Sequence, residues 1–372
     1  MTKLEQLIEE LCPNGVEFRQ LEKCCQVLDN KRKPITKSAR EAGEYPYYGA
    51  NGIQDYVADY IFDGTYVLVG EDGSVMTPNG TPVVNWAEGK IWVNNHAHII
   101  AEIDDVLLRY LFHYLQIVDV KPLIHGNIPK LTGGDFKALK IPVPPLPVQI
   151  EIVKILDNFT ELTAELTAEL TARKKQYEYY RYDLFSNAKG VEITTLDRIS
   201  ENCDSQRKPV TSGQREAGNI PYYGASGVVD YVKDYIFDGD YLLISEDGAN
   251  LLARSTPIAF SISGKTWVNN HAHVLRFDEY ATRRYVEMYL NSIDLSHYIT
   301  GGAQPKLNQK NLNKIEIPLP PLDEQERIVA ILDRFDALCN DISAGLPAEI
   351  EGRTKQYEYY RDKLLTFKEL YK

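Results

Sequence analysis

The chain repeats itself. Lys31-Arg32-Lys33-Pro34 returns as Gln206-Arg207-Lys208-Pro209, Pro46 to Gly52 (PYYGANG) as Pro221 to Gly227 (PYYGASG), and Trp92 to His98 (WVNNHAH) as Trp267 to His273, all at an offset of 175 residues. Asp59 to Gly64 (DYIFDG) returns whole as Asp234 to Gly239. Further on, Ile141-Pro142-Val143-Pro144-Pro145-Leu146 matches Ile317-Pro318-Leu319-Pro320-Pro321-Leu322, and Lys175-Gln176-Tyr177-Glu178-Tyr179-Tyr180-Arg181 matches Lys355 to Arg361. A period this long, present only twice, is not a solenoid. It makes the chain two copies of one unit: a globule, a Pro-Pro-Leu lead-in and a long helix. Two copies of one fold arrange naturally about a pseudo-twofold axis, as a homodimer does.

Hydrophobic periodicity fills in the unit. Leu4, Leu7, Ile8 and Leu11 predict a short amphipathic helix over residues 1–13, stopped by Pro13 and Gly15. From Val16 to about Leu146, short aromatic and β-branched runs such as Tyr66-Val67-Leu68-Val69 and Ile91-Trp92-Val93 read as strands. A helical stretch is expected near Asp104–Gln116. Val148–Phe185 contains neither Gly nor Pro and carries a tandem Leu-Thr-Ala-Glu unit over Leu162–Ala172. It predicts a helix ~55 Å long, too long for a small core and suited to a spacer. Its second copy is interrupted by Gly345-Leu346-Pro347, which predicts a break.

The expected fold is mixed α/β. Two similar globules (residues 16–146 and 188–322) alternate with two long helical regions (147–187 and 323–372), behind an N-terminal helix within 1–15. The two long helices are expected to pair as an antiparallel coiled coil that buries their Leu stripes.

A formal charge of -12 and a pI near 5.2 exclude a general nucleic-acid coat protein but leave room for local basic patches. Cys12, Cys24, Cys25, Cys203 and Cys339 form no CxxC and no zinc-ligand spacing, and suit a reducing compartment. No signal-peptide pattern and no membrane-spanning run is present, so the expected location is the cytoplasm. Nor is there a phosphate-binding loop, a dinucleotide fingerprint or an Asn-Pro-Pro-Tyr-type methyltransferase motif.

Taken together, the doubled globule, the Pro-Pro-Leu lead-in followed by Glu324-Gln325-Glu326-Arg327-Ile328-Val329, the Lys-Gln-Tyr-Glu-Tyr-Tyr-Arg helix ends and the tandem Thr-Ala-Glu-Leu unit resemble the specificity subunit of Type I restriction–modification enzymes. The tandem unit resembles the branch in which its copy number varies. The resemblance implies two target-recognition domains that read a bipartite double-stranded DNA sequence, without catalysis. It implies docking of two modification subunits, recruitment of restriction subunits and no membrane partner. It implies no cofactor or metal in this chain, since S-adenosylmethionine, ATP and magnesium belong to the partners. A metal-dependent nuclease or hydrolase, and a coiled-coil scaffold that binds no DNA, are the rival readings.

Candidate DNA contacts follow from residue chemistry. Lys31, Arg32 and Lys33, with Arg207 and Lys208, are basic clusters in an acidic chain and suit phosphate. Lys130 and Lys306 sit in glycine-containing loops that can approach a DNA backbone. Tyr48 and Asn51, matched by Tyr223 and Ser226, lie beside a Gly-flanked turn; Tyr47 and Tyr222 read better as packing residues. Base readers must differ between copies if the half-sites differ. The divergent stretches Ser74–Glu88 and Ala249–Ser263 hold Asn79, Asn85, Trp86, Asn250, Arg254 and Ser255. The likeness of the two copies implies related half-sites. His96-Ala97-His98 and His271-Ala272-His273 would place two imidazoles on one side of a strand. With no third ligand at a suggestive spacing, a hydrogen-bonding role is favoured over a metal. Glu71-Asp72-Gly73 and Glu246-Asp247-Gly248 read as plain turns rather than paired catalytic acids.

Overall fold

A computed structural model describes residues 2–301, 304–341 and 343–370. They fold into two compact units, Met1–Thr167 with Glu349–Lys372, and Ala168–Ala348. The boundary falls inside the long helix, so each unit takes part of it.

In the first unit, helix α1 (Lys3–Leu11) starts at a capping box in which Thr2 and Glu5 satisfy each other's backbone N–H groups. The globule is a sheet of six strands in the order 26–27, 97–101, 62–70, 84–93, 42–49, 52–57. All neighbours are antiparallel except 42–49 beside 84–93, where Tyr47 pairs with Trp92 and Tyr48 with Val93. Strand alternation sends Val67 and Val69 into one core and Leu68 into another on the opposite face. Both faces are therefore covered, which is why Tyr66–Val69 reads as a nearly unbroken apolar run.

Helix α2 (Leu108–Leu115) is shorter than the stretch expected over 104–116. Its start is fixed by two side chains outside it: the Glu102 carboxylate accepts the Leu108 N–H at 2.6 Å, and Gln149 accepts that of Leu107 at 2.9 Å. Glu17–Gln20 pairs antiparallel with Lys140–Val143, so the first and last strands of the globule meet where α3 (Leu146–Ser186, 41 residues) begins. The C-terminal segment closes on the same unit through the Val16 N–H, donated to the Lys368 carbonyl at 2.9 Å, and the Leu370 N–H, donated back to Val16 at 2.8 Å.

The second unit rebuilds this plan. Glu192–Thr195 pairs with Glu316–Leu319. The strand pairings return, divided between two four-stranded sheets, 201–202, 272–276, 241–245, 259–262 and 227–232, 217–224, 265–268, 237–238. Helix α4 (Tyr280–Ser292) stands where α2 does, and α5 (Leu322–Asn340) follows Pro321.

The expected break is present, with α6 (Leu346–Leu364) starting anew after residue 345. A Cβ on Gly345 would lie 2.6 Å from the Ala337 carbonyl oxygen, so only glycine lets the chain turn back this close to the end of α5. Pro347 then sits in the first turn of α6, where a missing N–H costs nothing.

Candidate nucleic-acid interface

Each globule is held by a buried ionic clasp that the sequence only hinted at. His98 lies on the strand Ala97–Ala101 with no exposed surface. Its Nδ1 is 2.7 Å from Asp29 Oδ2 and its Nε2 is 3.0 Å from the Leu131 carbonyl. Both ring nitrogens are therefore engaged by oxygen atoms of the fold. Asp29 also accepts the Ile99 N–H at 2.9 Å. Burial alone would raise the Asp29 carboxyl, but the His98 and Ile99 hydrogen bonds and the Arg32 charge outweigh it and hold it below its usual range. Arg32 completes the clasp, donating at 2.6 Å to Glu71 Oε2 and at 2.6 Å to the Ala97 carbonyl.

The second unit repeats the clasp with His273, Asp204, Leu307, Arg207 and Glu246. His273 Nδ1 is 2.6 Å from Asp204, Nε2 is 2.7 Å from the Leu307 carbonyl, and Arg207 donates to Glu246 at 2.6 Å. For Glu246, too, burial pushes upward, yet Arg207, His273 and Lys306 hold it below its ordinary value.

Several expectations are corrected here. Arg32 and Arg207 are internal struts, with side chains only 12% and 13% exposed, and do not offer their guanidinium groups to phosphate. Glu71 and Glu246 are more than turn residues, because they are the buried anions those arginines need. The paired histidines do not share a side: His96 and His271 are exposed in a turn, hydrogen-bonded to Asp72 and Asp247, while His98 and His273 are buried. Asp29, Glu71 and His98 do bring three potential ligand atoms within 4.8 Å, as do Asp204, Glu246 and His273. However, both ring nitrogens of each histidine already face an oxygen of the fold, and an arginine bridges the two carboxylates, so the groups fit a hydrogen-bonded ionic network rather than a metal.

The divergent stretches are also largely structural. Trp86 packs edge-on to Phe112 at 5.6 Å, with the Arg109 guanidinium 4.8 Å over its ring. At the matching positions of the other unit, Ser261 donates to Glu287 and Glu287 pairs with Arg284. The Trp-to-Ser difference is thus compensated by Phe-to-Glu on the neighbouring helix. Asn250 accepts from Ser255 at 2.9 Å and from the Thr256 N–H at 3.0 Å, so these two candidates hold their own loop. Arg254 adopts φ +51° and caps the carbonyls of Leu290 and Ile293 at 3.3 and 2.8 Å; its burial lowers the guanidinium pKa. Asn85 lies beneath the hairpin turn, its Oδ1 facing Gly52.

Tyr48 is buried in the core and unavailable for stacking, with its phenol pushed up by desolvation, whereas Tyr223 is half-buried against Phe260. Tyr47 and Tyr222 are packing residues, each hydroxyl bridging a backbone N–H and C=O, of Ile35 and Val210 respectively.

The remaining candidates are at least partly exposed. Lys31, Lys33 and Lys208 are exposed with no ion-pair partner among the described residues. Asn51, Ser226 and Asn79 are exposed as well. Lys130 and Lys306 are about half exposed, each 3.1 Å from its glutamate of the clasp.

Sequence reasoning missed two buried glutamines. Gln149, fully buried, donates to the Asp105 and Pro144 carbonyls at 3.1 and 2.8 Å, and Gln325 donates to Pro320 at 2.7 Å and accepts from Thr282. They lock each long helix to its globule. Their shared place four residues after the Pro-Pro pair was the available signal.

A second surface recurs at the helix ends. Tyr179 is 66% exposed and Tyr359 62%, each standing edge-on to the next tyrosine. No described helix is long and apolar enough to cross a membrane.

Comparison with known proteins places this geometry. The family model described as the Type I restriction modification DNA specificity domain matches twice, over residues 13–173 and 188–352. A putative type I restriction enzyme specificity subunit of Haemophilus influenzae is 37% identical, over 98% of this chain and 98% of that one. The EcoR124I/EcoR124II specificity subunit of Escherichia coli is 36% identical over 72% of this chain and 74% of its own length. The crystal structure of a Type I restriction-modification S subunit from M. genitalium shares the fold, with a TM-score of 0.64 at 17% identity over 94% of this chain and 96% of that one. With its doubled domain and its full-length relative, the chain belongs to the family of Type I restriction–modification DNA specificity subunits.

Proposed function

We propose that this chain reads a bipartite DNA sequence, one half-site per unit, and carries no catalytic step of its own. The observation that supports this best is the pattern of sameness and difference. Clasp, hairpin frame and helix ends repeat residue for residue, while exposed tips of the globules differ. Phosphate contacts position a protein and base contacts specify the sequence. A shared scaffold with exposed lysines and unlike tips suits two related but distinct half-sites in the major groove. Lys33 and Lys208 are the shared phosphate ligands, with Lys31 added in the first unit.

The identical tyrosine-bearing helix ends are the docking surfaces for two copies of one modification subunit, since the same exposed residues occur once in each unit. Restriction subunits join through that assembly. S-adenosylmethionine, ATP and magnesium are held by those partners, in the cytoplasm. The partners also share phosphate contacts, which accommodates a recognition chain with a net charge of -12. The continuous α3 sets the separation of the half-sites.

Co-expression with the modification subunits, followed by genome-wide mapping of methylated adenines, tests the reading. A bipartite motif that disappears when this chain is omitted is expected; methylation that persists without it defeats the proposal.

A further inference from the structure

The difference between the two half-sites has to come from exposed positions that differ over a common backbone. With Trp86, Asn250, Arg254 and Ser255 committed to packing and loop bonds, the hairpin tip becomes the place to look. Its two copies are in the same register. Tyr48 faces Ile53 and Gly49 faces Gly52, as Tyr223 faces Val228 and Gly224 faces Gly227, with the same irregularity next to the turn. Gly52 and Gly227 both take positive φ, +91° and +123°. Position 54 therefore corresponds spatially, within its own unit, to position 229.

The side chains there are unlike. Gln54 lies flat across Gly49, where an added Cβ would come within 2.1 Å of its Nε2. Its Oε1 is 3.4 Å from Nδ2 of the buried Asn94, whose own Oδ1 accepts the His96 N–H at 2.8 Å. A carboxamide has two donor hydrogens and two acceptor lone pairs. Asn94 orients the group and uses one of these; the amide hydrogens have no partner among the described residues. Gln54 lines a shallow cleft with Asn51, Ser74, His96 and Ile128.

In the second unit Val229 rests over Gly224, its Cγ1 3.1 Å from the position of an added Cβ there, beside Asn269. It is 57% exposed, an apolar side chain that faces water at its outer end. Around this position Asn51, Ser74 and Ile128 change to Ser226, Ala249 and Gln304, while the Asp72–His96 pair persists as Asp247–His271. The frame is constant and its lining is not.

The phosphate ligand is tied to the same spot. The Lys33 N–H is donated to the Val93 carbonyl and the Asn94 N–H to Tyr48; in the other unit Lys208 and Asn269 bond Val268 and Tyr223 in the same way. An exposed lysine common to both copies is thus anchored beside the asparagine that underlies the variable residue.

We propose that Gln54 and Val229 are specificity-determining residues. Gln54 selects adenine in the half-site of the first unit through paired hydrogen bonds to N6 and N7, and Val229 selects thymine in the other through its 5-methyl group. The proposal rests on the DNA-reading function above. It is tested in the complete complex with modification subunits by mapping methylation for Gln54→Val, Val229→Gln and Gln54→Ala.

Gln54→Val is expected to change or relax one base of one half-site, and Val229→Gln one base of the other, with the spacer and remaining bases unchanged. Methylation at sites keeping the original base should fall roughly tenfold to a hundredfold. Gln54→Ala should relax the same base as Gln54→Val. Motifs identical to wild type in both Gln54→Val and Val229→Gln overturn the assignment and leave the DNA-reading function standing. So does loss of all methylation in both Gln54 variants. A wild-type complex with no bipartite motif defeats the function itself, and this assignment with it.

Discussion

Phe159 of α3 stacks on Tyr360 of α6 with ring centroids 5.4 Å apart. Phe335 of α5 stacks on Tyr180 of α3 at 5.5 Å. Phe159 and Phe335 are equivalent in the repeat, as are Tyr180 and Tyr360. Each unit thus makes the same aromatic contact, but always between the helix start of one sequence repeat and the helix end of the other. The sequence repeat and the folded unit are different divisions of the chain. In the first unit this contact sits beside His113, which is buried, 2.8 Å from Asp157 and 3.0 Å from the Tyr357 hydroxyl. Desolvation lowers the His113 pKa despite the aspartate, so it joins the helices as a neutral donor–acceptor bridge.

Arg32 and Lys33, neighbours in one basic cluster, should separate cleanly by experiment. Arg32→Ala leaves buried Glu71 without its arginine, the half-exposed Lys130 still beside it, and should cost about 3 kcal/mol of stability. Lys33→Ala should leave the thermal midpoint in place and lower DNA affinity of the complex, reducing the salt dependence by about one counterion. Thermal unfolding and salt-titrated binding check both. Equal midpoints for the two variants would show that the Arg32 clasp does not hold the globule.

Acid should act on the clasps. Asp29 and Asp204 have folded pKa values below their ordinary ones. A depressed carboxylate contributes stability that is fully present above its unfolded value, near 3.9, and is lost as pH falls through the folded value. Asp29→Asn should therefore lower the urea midpoint at pH 7, by about 2 kcal/mol in stability, and the gap to wild type should shrink toward pH 2. A gap that stays constant over that range contradicts the assignment.

The spacer function of α3 gives a length rule. Inserting one Thr-Ala-Glu-Leu unit after Leu170 adds ~6 Å of helix, equivalent to roughly one or two base-pair steps. Methylation mapping should show the same half-sites at a wider spacing. Altered half-site bases in the insertion variant would refute the ruler.

Tyr179→Ala and Tyr359→Ala alter exposed side chains, so each should change stability by only about 0.5 kcal/mol. Each single variant should still bind one modification subunit, and the double variant none. Mass measurement of the purified complexes decides; full occupancy in the double variant would place docking elsewhere.

The doubled fold could be read before any coordinate was known, because duplication, strand alternation and helical periodicity are properties of residue order. The helix break at Gly345-Leu346-Pro347, the strand through Tyr66–Val69 and the packing role of Tyr47 and Tyr222 follow from local chemistry, and all are present, the new helix starting at Leu346. Misread were residues whose role depends on partners far along the chain. Arg32 looks like a phosphate ligand until Glu71 and Ala97 come to meet it. Trp86 looks like a base reader until Phe112 and Arg109 enclose it. The hydrogen-bonding role expected of His98 is present, but its partners Asp29 and Leu131 lie far along the chain and only the fold brings them to it.

The sequence by itself thus determined that there are two copies of one unit, where their helices lie and which family the chain resembles, since each depends on pattern along the chain. Tertiary structure alone decided which polar residues are spent inside the fold and which are left at its surface. A buried charge must be paired or lost, and its partner is chosen by strand register and helix packing, which residue order does not display.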